Sequence, residues 1–220
     1  MNQLITSFVE GGPVVWTLFI FSIVAVTIAI AKLWQYTIQL RLADTAPDRA
    51  LDLIDAGDRS AALQLVADRK SLRARIVRQV LQVFEQAGLA PDEAREEAMR
   101  QARVDAAELT SYLRVLEVIA TLAPLLGLLG TVMGMIEAFK AMEVAGANVD
   151  PSVLSGGIWQ ALLTTAIGLA VAIPVSLLHS WFERRSELEA AAIENQLQRM
   201  FTAEALFRGR SKPALTAAAA

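Results

Sequence analysis

The sequence predicts an all-α, polytopic membrane protein with three transmembrane helices, two of them extending far into the cytoplasm. Three observations predict it. Three stretches, Val14–Ala31, Val118–Phe139 and Val153–Leu178, are apolar and almost uncharged. Each is long enough to cross a hydrocarbon layer of about 30 Å, which takes roughly 20 helical residues. The Lys and Arg residues fall almost entirely to one side of these stretches, and the segments between and after them carry helical periodicity and helix punctuation. Mean hydropathy is +0.43. With no cysteine in the chain, disulfides, thiolate chemistry and cysteine-based metal sites are excluded.

Charge placement sets the orientation. Residues 1–31 hold no Lys or Arg, Lys32–Arg114 hold thirteen, the loop 141–152 holds none and the tail from Arg184 holds six. Lys140 alone departs from the pattern. By the positive-inside rule the N-terminus lies outside, a large loop and the C-terminus lie in the cytoplasm, and a short loop lies outside. An N-terminus without Lys or Arg also lacks the basic region of a cleavable signal peptide.

In order, residues 1–12 form a short outer N-terminus and residues 13–36 the first span. That span is large-apolar on all sides (Val14, Val15, Trp16, Leu18, Phe19, Ile20), with Trp16 and Trp34 plus Tyr36 placed as interfacial anchors. It reads as a plain lipid-facing anchor. Residues 37–115 form a helical loop. In it Pro47 opens one helix, Ala56-Gly57-Asp58 combines a C-terminal glycine with the next N-cap, and residues 72–87 are amphipathic. Gly88-Leu89-Ala90 breaks that helix. From Pro91 nothing but Pro124 stops a single helix before Met142, about 52 residues and roughly 78 Å. Within it lies the second span, 116–140. An outer loop at 141–152 ends in Asp150-Pro151, an N-cap and first-turn pair. The third span, 153–179, continues as a cytoplasmic helix at 180–207 and ends in a flexible tail at 208–220.

Spans two and three carry the chemistry. Ala123, Gly127, Gly130, Thr131, Gly134 and Ala138 recur at steps of three and four in the second. Gly157, Ala161, Thr165, Gly168 and Ala172 do so in the third, beside Gln160 and Thr164. Such small-residue stripes let helices approach closely in lipid, where apolar burial alone gives no advantage. Two readings are open: the threonines and Gln160 serve packing and interhelical hydrogen bonds, or they line a polar pathway that solvates an ion or a carboxylate. Neither span has an acid or base near its centre. Glu117 and Glu137 lie near opposite ends of span two, in solvated interfacial positions. His179, the sole histidine, lies one turn after Ser176, but no nucleophile-elbow glycines surround that serine. No enzyme activity is expected. A titratable carboxylate for proton transfer would have to come from another chain.

Leu122-Ala-Pro-Leu-Leu-Gly-Leu-Leu-Gly-Thr131-Val-Met-Gly134-Met resembles the second-span signature of the MotA/TolQ/ExbB proton-channel family. Gly156-Gly-Ile-Trp-Gln160-Ala-Leu-Leu-Thr-Thr165-Ala-Ile-Gly168-Leu-Ala-Val-Ala-Ile-Pro174 resembles its third-span signature. Three spans with a large loop after the first point to the ExbB/TolQ branch. The resemblance implies a bacterial inner-membrane protein with a periplasmic N-terminus, assembled as a pentamer whose second and third spans line a pore. It implies a single-span ExbD- or TolR-type partner that supplies an aspartate, and a TonB- or TolA-type protein that receives the motion. Protons are the coupling ion, and no cofactor is implied. Family threonines map onto Thr131 and Thr165. Gln160 stands where the family commonly carries glutamate; it keeps hydrogen-bonding capacity but cannot titrate. The expected function is a proton-driven channel-ring subunit serving a TonB-type system. A TolQ-like role in envelope maintenance and a non-conducting membrane scaffold are the alternatives. A nucleic-acid binder is excluded, because the basic residues flank membrane spans and form no clustered patch.

Overall fold

The computed structural model describes residues 12–39, 45–85, 91–145 and 151–217. The expectations for the N-terminal residues 1–11, the break at Gly88–Ala90, the Asp150 cap and residues 218–220 lie outside the described residues. Among the described residues seven helices form: α1 (Gly12–Gln39), α2 (Ala46–Asp55), α3 (Arg59–Val66), α4 (Leu72–Glu85), α5 (Pro91–Thr110), α6 (Leu113–Ala145) and α7 (Pro151–Ala217). No strand occurs among the described residues. Among the described residues three helical stretches are long and apolar enough to cross a membrane. The chain is thus an all-α polytopic membrane protein.

The chain divides into two compact units. One comprises residues 1–31 and 112–183, the other residues 32–111 and 184–220. In the first, the membrane unit, Val14 and Leu18 of α1 are buried against Ala123 of α6 and Ala172 of α7, with Leu126, Ile167 and Val171 around them. Ala25 and Ala29 extend this buried line along α1. The first span therefore has a packing face, where its bulky composition had suggested a plain lipid-facing anchor. Trp16, Ile20, Ile23 and Ile30 stay exposed on its other sides, where lipid would meet them.

In the second, the polar unit, α2 to α5 and the later part of α7 enclose a core of Leu51, Ile54, Val66, Ile76, Val80, Leu109, Ile193 and Met200. The link from α2 to α3 follows the expected chemistry. The Gly57 amide donates to the Ile54 carbonyl and the Asp58 amide to that of Leu53, a Schellman closure with Gly57 at φ +90. The Asp58 carboxylate then caps α3, accepting from the Ala61 amide and the Ser60 hydroxyl, each at 3.0 Å. Those bonds hold its pKa below the ordinary carboxylate range. Because the folded value is depressed, the cap stabilises above the usual pKa of about 3.9 and is lost as pH falls through the folded value. The stability gap between the native chain and Asp58→Ala is expected to close below about pH 4, as measured by thermal unfolding at stepped pH.

Longer-range ion pairs tie α7 into this unit. Arg73 on α4 forks onto Glu189 at 2.6 and 2.8 Å. The paired carboxylate holds the guanidinium pKa above its ordinary value. Arg199 reaches Asp55 at 2.6 Å and Asp52 at 3.2 Å, and Arg59 pairs with Glu204. Phe84 meets Phe201 edge to face with ring centroids 5.9 Å apart.

Two features differ from the sequence expectation. The helix from Pro91 is not continuous, for it turns at Ser111–Tyr112, where Tyr112 takes φ +64, before α6 begins. No glycine or proline marks the spot; side chains from elsewhere hold the last carbonyls of α5 and so end the helix there. At the other end, α7 remains helical through Ala217 instead of giving way to a tail at 208. Pro124 and Pro174 both sit inside helices without ending them, although each removes an amide donor.

Candidate functional site

The two small-residue stripes meet along α6 and α7. A Cβ added to Gly157 would lie 2.6 Å from the Ala138 Cβ, and one on Gly134 would lie 3.2 Å from the Ala161 Cβ. At Gly130 it would lie 2.5 Å from the Thr164 Oγ1, at Gly127 3.0 Å from the Thr165 Cα, and at Gly168 2.7 Å from the Ala123 carbonyl oxygen. Each advance along α6 is answered by a retreat along α7, so the helices are antiparallel and locked in one register. Ala123 and Ala172 complete the contact within the buried cluster. Small residues at these points permit backbone contact, which in lipid supplies much of the attraction between helices.

Hydroxyls converge at the middle of this contact. Thr165 Oγ1 donates to the Gly127 carbonyl at 3.1 Å. Thr164 Oγ1 lies 2.7 Å from the Ala161 carbonyl and 3.4 Å from that of Gly127. Thr131 Oγ1 donates to the Leu128 carbonyl in its own helix at 2.6 Å. A hydroxyl in an apolar setting finds such a backbone acceptor because leaving it unpaired is costly. The register places Thr131 on α6 at nearly the level of Thr165 on α7.

Exposure separates the four polar residues grouped from sequence. Thr164 is only 3% exposed and sits between α6 and α7 with its hydroxyl on main-chain oxygens. It takes a place in the packing stripe, because Gly130 leaves a notch opposite it. Thr131, Thr165 and Gln160 are half-buried and keep part of their surface open. Gly156, beside the stripe, faces open space. Among the described residues the ionisable groups of the membrane unit lie away from this centre. Glu117 pairs with Arg114 at 3.0 Å at the start of α6, and Glu137 is exposed towards its other end. The His179 Nδ1 is 3.9 Å from Glu183, beyond hydrogen-bonding distance.

One polar cluster had no forerunner in the sequence reading. The Lys32 ammonium is buried and bonds to the carbonyls of Glu108 and Leu109 at the end of α5, with Tyr36 and Ser186 beside it.

The antiparallel pairing of α6 with α7 and the helices α4 and α5 fall within a region that known proteins share. The sequence profile of the MotA/TolQ/ExbB proton channel family matches residues 68–195. The chain belongs to this family. The match runs from just before α4 to the ion-paired part of α7, and so contains both stripes and the Arg73–Glu189 pair.

Individual relatives refine the placement. The biopolymer transport protein exbB1 of Vibrio cholerae is 31% identical over 186 residues, which is 79% of this chain and 78% of the relative. The putative biopolymer transport protein ExbB-like 3 of Synechocystis is 30% identical over 188 residues, 84% of this chain and 88% of its own. The Tol-Pal system protein TolQ of Pseudomonas aeruginosa is 32% identical over 108 residues, 47% of this chain and 46% of its own. This family member therefore sits in the ExbB/TolQ branch.

Proposed function

We propose that this ExbB/TolQ-branch chain is the channel-ring subunit of a motor in the bacterial inner membrane. The proton-motive force drives it, and it energises a TonB-type protein for outer-membrane transport. The observation that carries the reading is the centre of the α6–α7 contact. The half-buried Thr131 and Thr165 hydroxyls are held there on main-chain carbonyls, with the half-buried Gln160 about one turn along α7 and no carboxylate among these residues. A ring of such surfaces, five by analogy with the family, would solvate a titrating carboxyl without competing with it for the proton.

In this reading the proton rides on an aspartate of a single-span ExbD- or TolR-type partner lodged in the ring, and no cofactor takes part. Thr165 donates to the Gly127 carbonyl, which leaves its oxygen lone pairs to accept from a protonated carboxyl. When the carboxyl loses its proton, rotation about the C–O bond turns the same hydroxyl into a donor to the carboxylate. Thr131, at the same level on the neighbouring helix, can do likewise, and Gln160 adds an amide that never titrates. Each elementary charge crossing 100 mV yields about 2.3 kcal/mol, so a repeating ring gathers work over several steps. In this reading the N-terminus lies on the periplasmic side and the polar unit in the cytoplasm, an orientation that the placement of the basic residues supports.

A TolQ-like role in envelope maintenance is the second reading, favoured by the similarity to the Pseudomonas TolQ. One experiment separates the two. Removing the chain from its host is expected to cut protonophore-sensitive uptake of large outer-membrane substrates at least tenfold and to leave detergent resistance intact. Lost detergent resistance with normal uptake selects the TolQ-like role. If neither changes, the chain is a scaffold and the motor reading is wrong.

A further inference from the structure

Helix α5 ends with carbonyls that helix geometry leaves without an amide donor and that carry the negative end of the helix dipole. The Lys32 ammonium occupies this end. It lies 2.9 Å from the Leu109 carbonyl, 3.2 Å from that of Glu108 and 3.2 Å from the Ser111 hydroxyl, so all three of its protons have an acceptor. Ser111 in turn donates to the Glu108 carbonyl at 2.7 Å. The Tyr36 and Ser186 hydroxyls are 2.6 Å apart and lie 3.3 and 3.2 Å from the Leu109 carbonyl. With one proton each, one of them donates to that carbonyl and the other to its neighbour.

A lysine 2% exposed is unusual. Its acceptors here are carbonyls and a hydroxyl, and a buried cation is costly unless every proton is placed. Ordinary packing would be met by a methionine or leucine at this position. The location gives the reason for a cation. The chain passes between the two units at 31/32, 111/112 and 183/184. Lys32 and Tyr36 follow the first crossing, Leu109 and Ser111 precede the second, and Ser186 follows the third. All three crossings are thus fastened to one another on the polar side, and the left-handed Tyr112 follows directly.

We propose that Lys32, with Tyr36 and Ser186, is a clamp on the end of α5 that keeps the three crossing segments in register. Proton-driven movement of α6 and α7 reaches the polar unit through it, a role that rests on the motor reading above. Lys32 is a positioning residue and touches no proton in transit.

The test combines hydrogen exchange of the purified, full-length complex with uptake in cells. Lys32→Met keeps the stem and removes the charge; Tyr36→Phe combined with Ser186→Ala removes only the two hydroxyls. Either change is expected to speed exchange of amides 107–112 at least tenfold. Exchange in α2–α4 and along the α6–α7 stripes should keep its rate, and uptake should fall at least fivefold in a ring of normal size. Unchanged exchange at 107–112 overturns the clamp. So does faster exchange throughout the polar unit, which would mark these side chains as ordinary core, and so does local loosening with full uptake. If Lys32→Met does not accumulate, the double hydroxyl variant carries the test alone. Exchange is read without reference to transport, so a wild-type complex without proton-dependent uptake would defeat the motor reading and leave the exchange result standing.

Discussion

Gly168→Ala is expected to lower recovery of the assembled complex at least about fivefold, whereas Gly156→Ala leaves recovery unchanged. Both glycines lie on α7 within the same span, so helix propensity does not separate them. What separates them is the space each faces. A methyl carbon at 168 would sit 2.7 Å from the Ala123 carbonyl oxygen, 3.1 Å from the Gly127 Cα and 3.3 Å from the Gly127 nitrogen. These are main-chain atoms of α6 and cannot rotate aside. Relief requires the helices to part, and the same movement breaks the Thr165 bond to the Gly127 carbonyl. Overpacking a tight contact costs about 1–3 kcal/mol, and each 1.4 kcal/mol is a tenfold change in population. At 156 the added carbon meets nothing, and alanine is the better helix former by up to about 1 kcal/mol. Size-exclusion recovery from detergent reads the difference. Equal recovery of the two variants would mean that α6 and α7 do not meet in this register.

Thr165→Val is expected to lower proton-dependent transport at least tenfold while the ring assembles normally. Valine matches threonine in shape, so the packing against Gly127 survives. The Gly127 carbonyl keeps the intrahelical amide of Thr131, so no buried acceptor is orphaned. Interhelical hydrogen bonds in membranes are worth about 0.6 kcal/mol on average, too little to dissolve the ring. What the substitution removes is the only group at this position able both to donate and to accept. A carboxyl passing from acid to carboxylate needs both. Thr131→Val should behave similarly. Thr164→Val is the control: its hydroxyl is buried on main-chain oxygens, so it should reduce thermal stability more than transport. Thr131→Val and Thr165→Val variants that transport at full rate would favour a scaffold.

The sequence disclosed the parts of this fold that depend on local pattern. Apolar length gave the spans, Gly57 and Asp58 marked a Schellman closure and an N-cap, and recurrence at steps of three and four singled out the residues that touch between α6 and α7. Register came only with the structure, which sets small residues opposite other small residues or notches. Thr164 shows the limit of pattern. It neighbours Thr165 in sequence and shares its chemistry, yet one step around the helix takes it from a half-open surface into the contact itself. The packing face of α1 was hidden for a related reason. Val14 and Leu18 are as bulky as the lipid-facing residues around them, and composition has no means of ranking sides when all are apolar. The interruption at Tyr112 was invisible because its cause is remote. A lysine some eighty residues upstream, placed where basic residues ordinarily snorkel to the membrane surface, turns inward and holds the end of α5.

The Gly127 carbonyl has a consequence for genetics. It is where the Thr165 hydroxyl, the more distant Thr164 hydroxyl and the amide of Thr131 come together, yet it belongs to the peptide bond and not to any side chain. Saturation mutagenesis would score Thr165 and Thr131 as sensitive and would record Gly127 as a position intolerant of bulk. The acceptor itself would leave no mark in such data. Exposing it would take an ester in place of the amide, introduced by chemical synthesis or an unnatural α-hydroxy acid at Leu128, which weakens the carbonyl as an acceptor and leaves every side chain in place.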